Sequence, residues 1–229
     1  RNLRIILKLI VNHKYKFIFI KSFKTAGTSL EIALSKFCGD EDILTPIVEK
    51  DEKLRSNLNF IGPQNYGDME EHMTASEIKK KLGNKMFNNY FKFVVVRNPY
   101  DQIISAFYWH NESKKNEKKF YIFKKKPISF YNFFTRKAHH IFEDEIERYT
   151  ENGKILIDKF VRYENLKTDL TEITKILNLP ENIYEVFKNI KAKSNINPPI
   201  EKRVKLTQDY KNQIKILAKK IIKLHKYKT

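Results

Sequence analysis

Lys24-Thr25-Ala26-Gly27-Thr28-Ser29 sets one lysine among small and hydroxylic residues, between an apolar run and an amphipathic one. Backbone N–H groups and hydroxyls gathered at a helix start, where the dipole favours negative charge, make an anion cradle. A second group is Arg97-Asn98-Pro99-Tyr100-Asp101 with Ser105 eight residues after the arginine. A guanidinium can give paired hydrogen bonds to a phosphate, and a serine adds a further donor. A third is His72, a side chain that can accept a proton near neutral pH.

These groups need a frame. Phe17–Ile20 is short and rich in β-formers, so it predicts a buried strand. Leu30, Ala33, Leu34 and Phe37 recur at helical spacing and predict a helix. The plain local reading of their junction is a strand–turn–helix with Thr28 or Ser29 as N-cap. Phe91–Val96 predicts a second strand, Asn98 can cap, and Pro99 suits the first helical position. Ile103, Ile104, Phe107 and Tyr108 give the following helix its apolar face. Arg97 then stands at the carboxyl end of a strand, the edge at which open α/β sheets bind ligands. Thr74 and Glu77 have the capping-box spacing and Gly83 suits a C-cap, so His72 falls on a loop before a short helix.

Residues 155–162 predict a third strand, 129–149 one or two helices, and 165–177 and 181–190 helices parted by Pro180. Residues 208–226 read as one long basic helix with Ile214, Leu217, Ile221 and Leu224 on a face. Residues 1–16 suggest a short lead-in helix, and 39–66, with Pro46, Gly62 and Pro63 and little periodicity, read as mostly loop. Strands alternating with helices predict an α/β fold.

The G-x-x-x-x-G-K-[ST] loop of ordinary nucleoside triphosphatases is absent, since the lysine here precedes the glycine. Lys24 to Ser29 instead resembles the 5′-phosphosulfate loop of sulfotransferases that use 3′-phosphoadenosine 5′-phosphosulfate (PAPS). Arg97 to Asp101 with Ser105 is similar to that family's 3′-phosphate site. The phrase from His72 to Lys79 looks like the element carrying the general base in the glycan-sulfating branch. Tyr163-Glu164-Asn165-Leu166 resembles the family's aromatic turn near the adenine. The resemblance spans residues 16–170 and thins beyond them.

The resemblance implies one sulfotransferase domain over residues 1–229, a P-loop-like parallel sheet flanked by helices. It implies in-line transfer of a sulfuryl group from PAPS to an acceptor hydroxyl or amine, with release of adenosine 3′,5′-bisphosphate; the carbohydrate-sulfating branch is the one it most resembles, and glycan, peptide tyrosine, lipid and small alcohol all stay open as acceptors. Lys24 and His72 are then the catalytic residues. Lys24, Thr25, Ala26, Gly27, Thr28, Ser29, Arg97 and Ser105 hold the donor, Tyr163 lies near the adenine, and Lys202 and Arg203 serve the 3′-phosphate. Two departures stand out: Phe23 occupies a position where the family often has proline, and the Arg-Lys-Gly loop of the cytosolic branch is missing.

Composition sets the bounds. The 229 residues suffice for one large domain or two small ones, and 41% hydrophobic content supports a sizeable core. A net charge of +18 suits a polyanionic ligand, although most lysines read as a solvated face. A single cysteine, Cys38, excludes an intrachain disulfide and fits a reducing compartment. Residues 5–11 are too short to span a bilayer, so the expected location is cytoplasmic or otherwise soluble. The chain opens at Arg1 without a methionine, and an upstream anchor stays compatible with it. No dedicated carboxylate set implies a metal, and the adjacent His139 and His140 have no evident partner at a ligand spacing. Nucleic acid is not an expected partner. Two other readings stay open: a nucleotide kinase with a divergent loop, and a non-enzymatic basic binder of nucleic acid or glycan.

Overall fold

The computed structural model describes residues 9–67, 69, 73–116, 127–192 and 196–228. They form two compact units, one of the described residues within 1–96 and 147–192, the other of those within 97–146 and 193–229.

The first unit is built on a five-stranded sheet. Its strands are β1 (Leu9–Asn12), β2 (Phe17–Ile20), β3 (Ile43–Leu44), β4 (Phe91–Val96) and β7 (Lys159–Arg162), in the order β3-β1-β2-β4-β7. β2, β4 and β7 are parallel, in a register that sets Phe19 beside Phe93 and Val96 beside Arg162. β1 runs antiparallel to both β2 and β3, so the sheet is mixed and not wholly parallel. Every residue of β1 and β2 is buried, as befits strands covered on both faces. The rings of Phe19 and Phe93 stand 5.3 Å apart. With Leu30, Ala33 and Leu34 of helix α1 (Gly27–Ser35) and Leu170 and Ile173 of α7 (Leu166–Ile176) they form one core.

Helices α2 (Glu49–Asn57), α3 (Ala75–Leu82), α4 (Asn84–Asn89) and α8 (Ile183–Phe187) and a small hairpin of β5 (Thr150–Glu151) and β6 (Lys154–Ile155) complete this unit. The capping box at α3 forms as its spacing predicts: Glu77 N–H donates to Thr74 Oγ1 at 3.2 Å, and Thr74 N–H to Glu77 Oε2 at 2.5 Å. Ser76 and Lys79 bind the Glu151 carboxylate on β5, which holds its pKa below the ordinary value.

The second unit contains α5 (Pro99–Asn116), α6 (Phe130–Glu147, as far as Ile146), α9 (Gln208–Leu217) and α10 (Lys219–His225). Its core is aromatic: Phe107 meets Phe130 at 5.3 Å, and Tyr210 meets Phe130 and Phe134 at 5.0 Å each.

Several expectations need correction. Residues 9–12 of the supposed lead-in helix are strand β1; residues 1–8 lie outside the described residues. Leu9, Ile10 and Val11 pair with β2, and long-range pairing overrides any local preference. Residues 39–66 are mostly loop but also contain α2, which was not expected and whose buried positions are Asp51 and Arg55. A helix that buries charges instead of an apolar stripe leaves no hydrophobic period to find. The third strand is confined to Lys159–Arg162, and the basic helix breaks at Ala218 into α9 and α10.

Candidate functional site

The loop between β2 and α1 carries backbone strain. Lys24 and Ala26 both have φ of +60°, a left-handed conformation that costs a non-glycine residue roughly 1–2 kcal/mol. Such turns bend successive N–H groups toward one point, an arrangement that suits an anion. Ala26 is the N-cap of α1 and makes no side-chain cap bond, so neither Thr28 nor Ser29 is the cap. The loop is anchored from within. Ser22 Oγ donates its hydrogen to the Val95 carbonyl at 2.5 Å, and the Thr25 hydroxyl stands 3.1 Å from Ser22 Oγ and 3.3 Å from the Ser22 carbonyl, both of which can accept from it. Thr25 is therefore turned inward, 1% exposed. Ser29 Oγ accepts from the Ala192 N–H at 3.2 Å.

Lys21 was not singled out by motif, yet its Nζ donates to Thr28 Oγ1 at 2.7 Å and to Glu31 Oε2 at 3.2 Å. Gly27 is required for this path: a Cβ there would lie 2.5 Å from Lys21 Cγ.

In the second unit Arg97, Asp101, Ile104, Ser105, Asn197 and Arg203 line one recess. Arg97 and Ser105 are buried, 8% and 4% exposed. Asn98 caps α5 as expected, its Oδ1 accepting from Tyr100 N–H at 3.0 Å, which fixes the helical turn that separates Arg97 from Ser105. Asn197 Nδ2 donates to Ser105 Oγ at 3.4 Å, and Arg203 Nε to the Pro198 carbonyl at 2.9 Å. Tyr108 Oη accepts from Val204 N–H at 2.9 Å and pins the segment bearing Arg203 to α5. Lys202 is exposed and lines no part of this recess. Asn197 was missed because an asparagine in a loop carries no sequence signal of its own.

Tyr163 follows β7 in a short 3₁₀ turn and packs, partly buried, on the core of the first unit. His72 lies outside the described residues, as do Glu70 and Glu71. His139, His140 and Glu143 bring donor atoms within 4.8 Å of one another on exposed positions of α6, so Glu143 does supply a partner at ligand spacing. His139 Nδ1 and a Glu143 oxygen are 3.2 Å apart.

A profile described as the sulfotransferase family matches residues 7–227. The chain belongs to the sulfotransferase family. Membership brings sulfuryl transfer as the class of activity. The chain is also similar to an uncharacterized protein of Archaeoglobus fulgidus, 29% identical over 115 residues, which is 48% of this chain and 87% of that one. No solved structure is a significant match. Among the described residues of this family member, no helix is long and apolar enough to cross a membrane.

Proposed function

We propose that the chain moves a sulfuryl group from PAPS to an acceptor hydroxyl or amine, with a carbohydrate as the favoured acceptor class, and that residues 1–229 act as one sulfotransferase domain. The observation that carries this reading is the recess that gathers Arg97, Ser105, Asn197 and Arg203. Two guanidiniums, a hydroxyl and an amide are a donor set for a terminal phosphate such as the 3′-phosphate of PAPS. The strained loop from Lys24 to Ser29 offers the chemistry for the other anionic end, the 5′-phosphosulfate.

PAPS supplies the transferred group: the acceptor oxygen or nitrogen bonds to sulfur as the bond from sulfur to the 5′-phosphate oxygen breaks. Negative charge grows on that departing oxygen, and the Lys24 ammonium acts where it grows, so its stabilisation is larger in the transition state than in the ground state. His72 takes the proton that the acceptor loses, which contributes ~10²–10⁴-fold. Arg97, Ser105 and Arg203 bind the 3′-phosphate, and Tyr163 stands by the adenine. Lys202 adds long-range positive charge.

Thermal unfolding in adenosine 3′,5′-bisphosphate, ATP and RNA, run side by side, tests the reading. A rise in Tm with the bisphosphate well above the other two is expected. A larger rise with ATP and Mg²⁺ supports a kinase instead, and a rise with RNA alone a basic nucleic-acid binder.

A further inference from the structure

Lys21 presents a buried charge that the mechanism above leaves without a task. Its residue is 9% exposed, and its Nζ contacts Thr28 Oγ1 at 2.7 Å and Glu31 Oε2 at 3.2 Å. Glu31, fully buried, turns its other oxygen to Arg55 Nη2 at 3.7 Å, and Arg55 Nη1 faces Glu52 at 3.6 Å. Alternating charges thus run from Glu52 through Arg55 and Glu31 to Lys21, and end on the hydroxyl of Thr28 in the first turn of α1. Desolvating such a series costs several kcal/mol per ion, and apolar residues of like size would often serve stability as well. Stability alone is therefore a weak reason for the arrangement.

The direction of the last hydrogen bond is decided by chemistry. An ammonium has three hydrogens and no lone pair. Thr28 Oγ1 must accept from Lys21, so the hydroxyl hydrogen of Thr28 points away from Nζ. A bond received at oxygen also polarises the O–H and strengthens it as a donor. We propose that Lys21 is a positioning residue that orients the Thr28 hydroxyl as a donor to the 5′-phosphate or phosphosulfate group held by the loop from Lys24 to Ser29. Gly27 serves the same device, because a Cβ there would lie 2.5 Å from Cγ of the Lys21 stem that crosses to Thr28 and would push it aside. This inference rests on the proposed role of that loop.

The test compares calorimetric affinities for adenosine 3′,5′-bisphosphate and for 3′-AMP, which lacks the 5′-phosphate. Thr28→Val removes the hydroxyl and keeps the shape. The pair Lys21→Met/Glu31→Gln removes the ammonium, keeps its stem, and leaves no unpaired carboxylate. Each change is expected to weaken the bisphosphate by about tenfold, the loss of one charge-assisted bond, and to leave 3′-AMP unaltered. The two combined are expected to weaken it by the same factor of about ten, because both break one device. Multiplied losses in the combination, or unchanged bisphosphate affinity in either variant, overturn the role of Lys21. Thr28→Val keeps the ion pairs among Lys21, Glu31, Arg55 and Glu52 and removes only the hydroxyl that accepts from Lys21, so unchanged bisphosphate affinity in it overturns the role even if the Lys21 pair fails to fold. A wild-type chain that binds bisphosphate no tighter than 3′-AMP overturns the loop assignment itself, and this inference with it.

Discussion

Asn197 Nδ2 donates to Ser105 Oγ at 3.4 Å, so two residues 92 positions apart form one wall of the recess that also holds Arg97 and Arg203. The recess therefore depends on α5 and on the segment before α9, which Tyr108 pins to α5 through Val204. Arg203→Ala is expected to weaken adenosine 3′,5′-bisphosphate by ~1.5–3 kcal/mol while leaving 5′-AMP nearly unchanged. Lys202→Ala, at an exposed position, is expected to alter both only slightly. Calorimetry with the two nucleotides checks this; equal losses for both, or a larger loss from Lys202, would remove Arg203 from the 3′-phosphate.

Lys24→Ala is expected to lower kcat by a hundredfold or more, roughly the 2.7–4 kcal/mol of a lost transition-state donor, with a small change in donor affinity. Steady-state kinetics at saturating PAPS, beside direct binding, separate the two effects. A variant with weakened binding and unchanged kcat would make Lys24 a binding residue only.

A histidine that acts as base must be neutral, so turnover is expected to rise with pH as the imidazolium loses its proton. His72→Asn is expected to flatten that limb and lower turnover, with bisphosphate affinity retained. Near-normal turnover in His72→Asn would assign the proton to another group, and Glu70 and Glu71 are the next candidates by sequence.

Gly27→Ala tests the path of Lys21 over the loop. The added methyl falls 2.5 Å from Lys21 Cγ, so stem or helix must shift. Overpacking of this kind costs about 1–3 kcal/mol, read as a lower midpoint in urea. Gly39→Ala, where a Cβ meets nothing within 4 Å, is the control and is expected to change stability far less.

Cys38 tests the electrostatics of the first unit. Burial raises its thiol pKa from 9.0 to about 12, opposed by a hydrogen bond from Asn12 and by the charge of Arg55. The folded state thus holds its proton more tightly than the unfolded chain. This contribution to stability is fully present below pH ~9 and is lost as pH rises toward the folded value. Alkylation of the native protein at pH 8 to 10 is expected to be far slower than in urea. Equal rates would show that the thiolate is not disfavoured by its surroundings.

Short-range chemistry was legible along the chain. Phe17–Ile20 and Phe91–Val96 announce strands because buried parallel strands are runs of β-formers, and Thr74 with Glu77 announces a cap because both partners lie within one turn. Asn98 and Pro99 set the start of α5 for the same local reason. Only tertiary structure decided the rest. β1 is a strand because β2 and β3 flank it, α2 is a helix whose inner face is charged, and Asn197 matters through a residue 92 positions away. Lys21, the residue after β2, carried no expectation from the sequence. Its meaning comes from burial, which makes an ammonium seek Thr28 and Glu31, and a local pattern of residues does not encode the dielectric around them.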